Sequence, residues 1–255
     1  MKINLDDLTF LFPLKPDSII RIENLLVITD YILRNFHTKI SVLEISAYNN
    51  GILRKLLNNK IEYSFLESKD PIFHRTQYRN LMTKAVKTPF LAVWDADVIV
   101  DKSQITEAME KLRSGEADVA YPFDGKFNDT SEIIRVLFIR KKQIQVLHNN
   151  KDRMELIYGE DHKGGAFIAN TEKYKQTGME NENFYGWGPE DYERYERWVN
   201  LRFKIYKSLG CMYHLSHPRD LNGSYNSVKQ KEITNSELDK SKKSSYDELV
   251  SAIIT

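Results

Sequence analysis

The chain of 255 residues predicts an α/β protein, a mostly parallel sheet flanked by helices, and two observations carry that prediction. Through its first half, short β-rich runs alternate with stretches of helical apolar spacing, and strands separated by helices join in parallel through right-handed crossovers. One of the runs, Phe90–Trp94 (FLAVW), is continuously apolar, as a strand buried on both faces must be.

In chain order, Leu8–Phe12 (LTFLF) reads as a strand closed by Pro13 and Pro16. Asp17–Asn35 places Ile22, Leu25, Leu26, Thr29, Ile32 and Leu33 at helical spacing. Lys39–Ser46 alternates as a strand, Ile52–Leu57 is a short helix, Ile61–Glu67 a third strand and Arg75–Ala85 a helix. After FLAVW and the helix Ser103–Arg113, the pattern predicts strands at Asp118–Phe123, Ile133–Ile139 and Ala166–Ala169, then a helix from Pro189 to Val199. Arg202–Tyr206 and Cys211–Leu215 read as two more strands. Asn222–Lys243, rich in Ser, Asn and Lys, reads as an extended or mobile segment. The last stretch sets Tyr246, Leu249, Val250 and Ile253 on one helical face, suited to docking on its own domain or on a partner.

Composition excludes several classes. Apolar residues are 41% and charged residues 29%, ordinary for a globular chain. Lys plus Arg (37) nearly cancel Asp plus Glu (36), so the concentrated basic face of a duplex nucleic-acid binder is missing. A single cysteine, Cys211, permits neither an internal disulfide nor a Cys-rich zinc site. The most apolar early stretch, Ile19–Leu33, is broken by Arg21, Glu23 and Asp30, and the start MKINLDDLTF lacks a signal core. The expectation is a cytoplasmic protein, its final helix allowing peripheral contact at the inner membrane surface.

Three segments carry chemistry. Asp95 and Asp97 follow FLAVW directly, at the strand end where ligands of open parallel sheets bind. Two carboxylates one residue apart suit Mg²⁺ or Mn²⁺ shared with a substrate phosphate, although a solvated turn also explains an isolated Asp-x-Asp. In Phe184-Tyr185-Gly186-Trp187-Gly188-Pro189-Glu190-Asp191, Pro189 and the two acids suit a helix start. That role leaves unexplained why two glycines flank Trp187, whose face suits a sugar ring. The third segment is His214-Leu215-Ser216-His217, in which one imidazole could complete an Asp-based metal site and ordinary loop histidines are the plainer reading.

Together these segments resemble the β-1,4-galactosyltransferase family and its relatives with a GT-A fold: a Rossmann-like, mostly parallel sheet flanked by helices, with a smaller acceptor-binding half. WDADVIV resembles the family's Asp-x-Asp motif, GGAFIAN its Gly-Gly strand, FYGWGPEDYERY its acceptor loop and HLSHPRD its metal-binding histidine segment. PIFHRTQYRN and FPLK are similar to its donor segment and its uridine strand. The likeness runs from about residue 8 to 220. It implies a transferase domain over 1–220, with a nucleotide-binding half at 1–100 and an acceptor-binding half at 101–220. Residues 221–255 follow as a polar extension with a short amphipathic helix.

By matching positions, the resemblance implies Asp97 and His217 as metal ligands, with His214 standing where relatives have a methionine ligand. Asp191 would be the catalytic base, Glu190 would orient the acceptor, and Trp187 with Gly188 would contact sugar. Asp95 would sit by the ribose or the metal, and Phe73, Arg75, Pro13 and Gly165 would border the donor. The implied cofactor is Mn²⁺ or Mg²⁺, and the implied partners are a UDP-sugar and a carbohydrate or lipid-linked oligosaccharide acceptor. The implied reaction is inverting transfer of a hexose or N-acetylhexosamine, in bacterial surface polysaccharide synthesis. The sequence departs from the family at Pro189, which replaces a glycine, and at His162 and Lys163, where aromatic residues help select the donor sugar. A retaining N-acetylgalactosaminyltransferase, a nucleotidyltransferase and a non-catalytic sugar-binding module are the rival readings.

Overall fold

The computed structural model describes residues 1–218 and 221–254. Arg219 and Asp220, which end the HLSHPRD segment and carry the expected domain boundary, lie outside the described residues.

The first half follows the sequence pattern. Strand β1 (Ile3–Leu14) leads to helix α1 (Ile19–Asn35), β2 (Phe36–Ser46), α2 (Ile52–Leu56), β3 (Glu62–Glu67), α3 (Arg75–Ala85) and β4 (Phe90–Trp94). Helix α1 starts at Ser18, whose hydroxyl accepts from Arg21 N, and its buried face includes Leu25, Ile28 and Ile32, an apolar stripe at helical period. All five residues of β4 are buried, as the continuous apolar run requires.

The second half is shorter-limbed. Strand β5 (Val98–Ile99) precedes α4 (Lys102–Arg113), β6 (Val119–Tyr121), β7 (Phe127–Asp129), α5 (Glu132–Lys141), α6 (Gln145–His148) and β8 (Glu155–Ile157). Then come β9 (Ala166–Asn170), α7 (Thr171–Gln176), α8 (Glu190–Asn200), β10 (Ile205–Lys207), β11 (Met212–His214), α9 (Val228–Lys243) and α10 (Tyr246–Ile254).

Seven strands form the main sheet in the order β10-β6-β9-β4-β1-β2-β3. It is parallel throughout except at β9, which runs antiparallel to both β4 and β6. A second sheet, β5-β11-β7-β8, begins where β4 ends. The chain crosses from one sheet to the other at Asp95-Ala96-Asp97, which fixes these acids at the seam.

Two expectations are corrected. Residues 133–139, expected as a strand, lie within helix α5: Ser131 caps it by accepting from Ile134 N, and Ile134, Arg135 and Phe138 are buried at helical spacing. The β-branched isoleucines and Val136 imitate a strand, but the cap and the buried stripe prevail. Residues 222–243, expected to be extended or mobile, contain the 16-residue helix α9 packed on α8. Its buried residues are Thr234 and Ser241, and Ser241 Oγ donates to Glu193 Oε1 at 2.7 Å. Polar side chains hold this helix, so no apolar stripe announced it. Helix α10 docks on α8 as expected, with Leu249 buried.

Candidate active site

The seam brings the first and third segments into contact through backbone pairing. Strand β11 lies antiparallel on β5 with His214 opposite Val98, and Leu215 N donates to Asp97 O at 2.7 Å. His217 Nε2 thereby comes within 2.9 Å of Asp97 Oδ2, and His214 Nε2 within 3.9 Å of Oδ1. One donor atom from each of the three residues lies within 4.8 Å of the others.

The far side of each imidazole is also held. His214 Nδ1 donates to Asp129 Oδ1 and His217 Nδ1 to Pro218 O, both at 2.7 Å. These assignments, made from the oxygen partners, leave each Nε2 facing Asp97: carrying a proton it donates to the carboxylate, and giving that proton up it would offer a lone pair to a cation. Burial alone would raise the Asp97 pKa. The hydrogen bond from His217 and the charges of His214 and His217 outweigh it and hold the carboxyl well below the usual range.

The acid pair stands across the cavity at the start of α8. Asp191 Oδ1 accepts from Arg194 Nη2 at 2.8 Å and from Arg79 Nη1 at 3.3 Å. Its Oδ2 lies over Gly164, where an added Cβ would come within 2.4 Å, so glycine there makes room for the carboxylate. Burial favours the neutral acid, but Arg194, Arg79 and Arg75 together keep Asp191 well below the usual range, and ionised. Glu190 is opposite in kind. Its side chain is 2% exposed, Arg75 Nη1 lies 3.1 Å from Oε1, and Oε2 has no hydrogen-bond partner among the described residues. Burial first, and then the charge of Asp191, pushes Glu190 up to about 7. Two neighbouring carboxyls are thus driven apart by where they point.

A cavity of about 240 Å³ joins the two sides. Of the residues expected at the site, Asp95, Asp97, Arg75, Gly165, Trp187, Gly188, Asp191, His214 and His217 line it. Glu190, Phe73 and Pro13 are not among its lining residues. Glu190 turns into the arginine cluster, Pro13 is buried in the sheet opposite Leu43, and Phe73 packs on Tyr78 at 5.3 Å while its N–H donates to Asn222.

The cavity also takes His162, one of the departures from the family pattern, and residues that sequence reasoning did not assign. Tyr158 and His162 stack on Phe127 with ring centroids 5.9 and 5.0 Å away. Tyr225, beyond the expected domain boundary, meets Trp187 edge-on at 4.8 Å. Asn222 and Gly223 complete that wall. Asp129 and Arg79 support the site from behind. The aromatic entries at 158 and 225 were visible as residue types, but nothing local to either showed that it faced a cavity.

Residues 147–218 match the family profile described as the N-terminal domain of galactosyltransferase, a stretch holding the Gly-Gly strand, the GWGPED turn and both histidines. A search of curated proteins found no match. Among solved structures, the catalytic domain of Drosophila β1,4-galactosyltransferase 7 in complex with xylobiose is similar over 91% of this chain and 79% of its own, with a TM-score of 0.57 and 15% identity. The fold is that of the GT-A glycosyltransferases. A mutant of the same Drosophila enzyme, crystallised with manganese, UDP-Gal and xylobiose, shares 13% identity over 89% of this chain and 78% of its own, with a TM-score of 0.54. Glucosyl-3-phosphoglycerate synthase from Mycobacterium tuberculosis, with Mn²⁺, UDP-glucose and phosphoglyceric acid, is similar at a TM-score of 0.51 and 13% identity, over 83% of this chain and 72% of its own. Residues 147–218 thus resemble a galactosyltransferase domain, and the chain as a whole has the GT-A fold. Among its described residues, no helix is long and apolar enough to cross a membrane.

Proposed function

We propose that this GT-A chain is a metal-dependent, inverting glycosyltransferase that moves a hexose or N-acetylhexosamine from a UDP-sugar to a hydroxyl of a carbohydrate acceptor. One observation carries the reading: a single cavity collects the seam carboxylates, two imidazoles and an ionised acid at a helix start, with an aromatic wall between. The neighbours crystallised with UDP-sugars and Mn²⁺ support it.

Asp97, His217 and His214 would hold the cation. One carboxylate and two imidazoles fit Mn²⁺ better than Mg²⁺, which favours oxygen ligands throughout. Bound there, the cation would offset the charge that gathers on the departing diphosphate. Arg75 borders the same space and would bind that diphosphate beside Asp95. Opposite, Asp191 Oδ2 takes the proton of the acceptor hydroxyl as its oxygen attacks the anomeric carbon in line with the leaving UDP. Trp187 and Tyr225 would clasp the acceptor ring and exclude water. His162, between Phe127 and Tyr158, stands where the donor sugar would be selected. The transferase domain, with its nucleotide half at 1–100 and acceptor half from 101, thus reaches beyond residue 220 to take in Asn222 and Tyr225. Its place is the cytosolic side of surface polysaccharide synthesis, on a free or lipid-linked oligosaccharide.

A thermal-shift screen of UDP-sugars and nucleoside triphosphates with Mn²⁺ tests the donor class. A UDP-sugar should raise the midpoint, and stabilisation by triphosphates alone would remove the reading. Transfer should stop in EDTA and return with Mn²⁺, and NMR of the product should show an inverted anomeric centre.

A further inference from the structure

Arg79 lies near the end of PIFHRTQYRN but has no role implied there, and in sequence it is one more charge on an amphipathic helix. In the fold its side chain is 2% exposed. Its Nη2 donates to Asp95 Oδ1 at 2.9 Å and its Nη1 to Asp191 Oδ1 at 3.3 Å, with Glu180 Oε2 3.7 Å from the same nitrogen. One buried guanidinium therefore holds the first acid of the seam pair and the acid at the helix start. Both carboxylates spend Oδ1 on it, both line the cavity, and neither Oδ2 has a hydrogen bond from a described residue.

We propose that Arg79 is a positioning residue that sets the separation and aim of Asp95 and Asp191, tying the donor side of the cavity to the acceptor side. The proposal rests on the transferase reading above for the roles of those two acids.

Three physical arguments support it. A guanidinium is planar and permanently charged, and it presents two donors at a fixed spread, so holding one carboxylate constrains the other. The helix that carries Arg79 is itself locked to the segment leading into the GWGPED turn. Asn80 Nδ2 donates to Glu180 O at 2.9 Å, Asn80 Oδ1 accepts from Glu180 N at 2.8 Å, and Thr76 Oγ1 donates to Phe184 O at 3.1 Å. Finally, a buried guanidinium is tolerated only while its partners stay ionised. Arg194 shares Glu180 and Asp191 with it but has no hydrogen bond to Asp95, so among the described residues Arg79 alone bonds both cavity acids.

Arg79→Lys separates aim from charge, because an ammonium keeps the charge and loses the fork. Transfer should fall by about 100-fold, the loss that a misplacement near 1 Å can bring, with the donor KM changed far less. In an Asp191→Asn background the same substitution should cost much less, only the part that runs through Asp95, since one of the two groups it aims is already disabled. Wild-type turnover in Arg79→Lys, or a full additional loss in the Asp191→Asn background, would overturn the proposal. Crystal structures provide a readout that needs no activity: in Arg79→Lys, Asp95 and Asp191 should leave their cavity-facing orientations, and unmoved carboxylates would refute the idea. Asp95→Asn, which keeps side-chain volume, probes the link from its other end and should shift Asp191; an unshifted Asp191 would also refute it. A wild-type chain that transfers no sugar would sink the transferase reading, while the two crystal structures would still decide what Arg79 does.

Discussion

The two acid sites on the cavity use the same carboxyl chemistry with different partners. Asp97 is held by imidazoles, Asp191 by guanidiniums. An imidazole nitrogen can surrender its contact with a carboxylate to a cation that both then share, so the Asp97 cluster is suited to take a cation. A guanidinium has no lone pair to offer, so the Asp191 site is built to stay charged and in place. The difference teaches that the partner, more than the acid, decides whether a buried carboxylate serves a cation or a proton.

The largest expected effect breaks the guanidinium side. Asp191→Asn should lower transfer on the order of 10³-fold while UDP-sugar binding, followed by calorimetry, stays near wild type. Retained turnover would remove Asp191 from the base role. On the imidazole side, Asp129→Ala leaves all three candidate ligands in place but frees His214 Nδ1. Its apparent Mn²⁺ affinity should drop roughly 10–100-fold, read by titrating metal-stripped protein; an unchanged affinity would show that His214 needs no such support.

A gentler test uses pH. Glu190 is pushed up to about 7 in the fold. The folded state therefore binds this proton more tightly than the unfolded chain, and the stability it contributes is present at acid pH and lost as pH rises through 7. Glu190→Gln should remove that component. Against the variant, the wild-type melting midpoint should fall between pH 5 and pH 8 by on the order of 5 °C, and parallel curves would mean that Glu190 stays ionised throughout. Smallest is Ser227→Ala at the start of α9, where loss of the cap to Gln230 N should cost about 1 kcal/mol in chemical denaturation. An unchanged midpoint would mean that the polar contacts on α8 suffice to hold the helix behind Tyr225.

How much of this was legible in sequence depended on whether the signal was local. The β1–β4 half could be read because β1, β2 and β4 carry apolar runs and α1 an apolar stripe, with turn residues between them. Asp95 and Asp97 stood out because they follow a wholly buried apolar strand, and the fold sets His217 Nε2 2.9 Å from Asp97. Helix α5 was misread because its isoleucines carry a strand's propensity, and α9 because Thr234 and Ser241 are polar residues in buried places. Arg79, Arg194 and Glu180 gave no sign, since burial of a charge is decided by partners that are distant in the chain.

The pairing of β11 with β5 has a further consequence. Successive side chains of a strand alternate sides, so sliding β11 by one residue would turn His214 away and present Tyr213 or Leu215 instead. One deletion in the loop 208–211 could cause that slide without touching any acid or imidazole. Descendants of such a sequence could keep every motif described here and still be inert, so the length of this loop is the first thing to compare when related chains are sorted into working and silent copies.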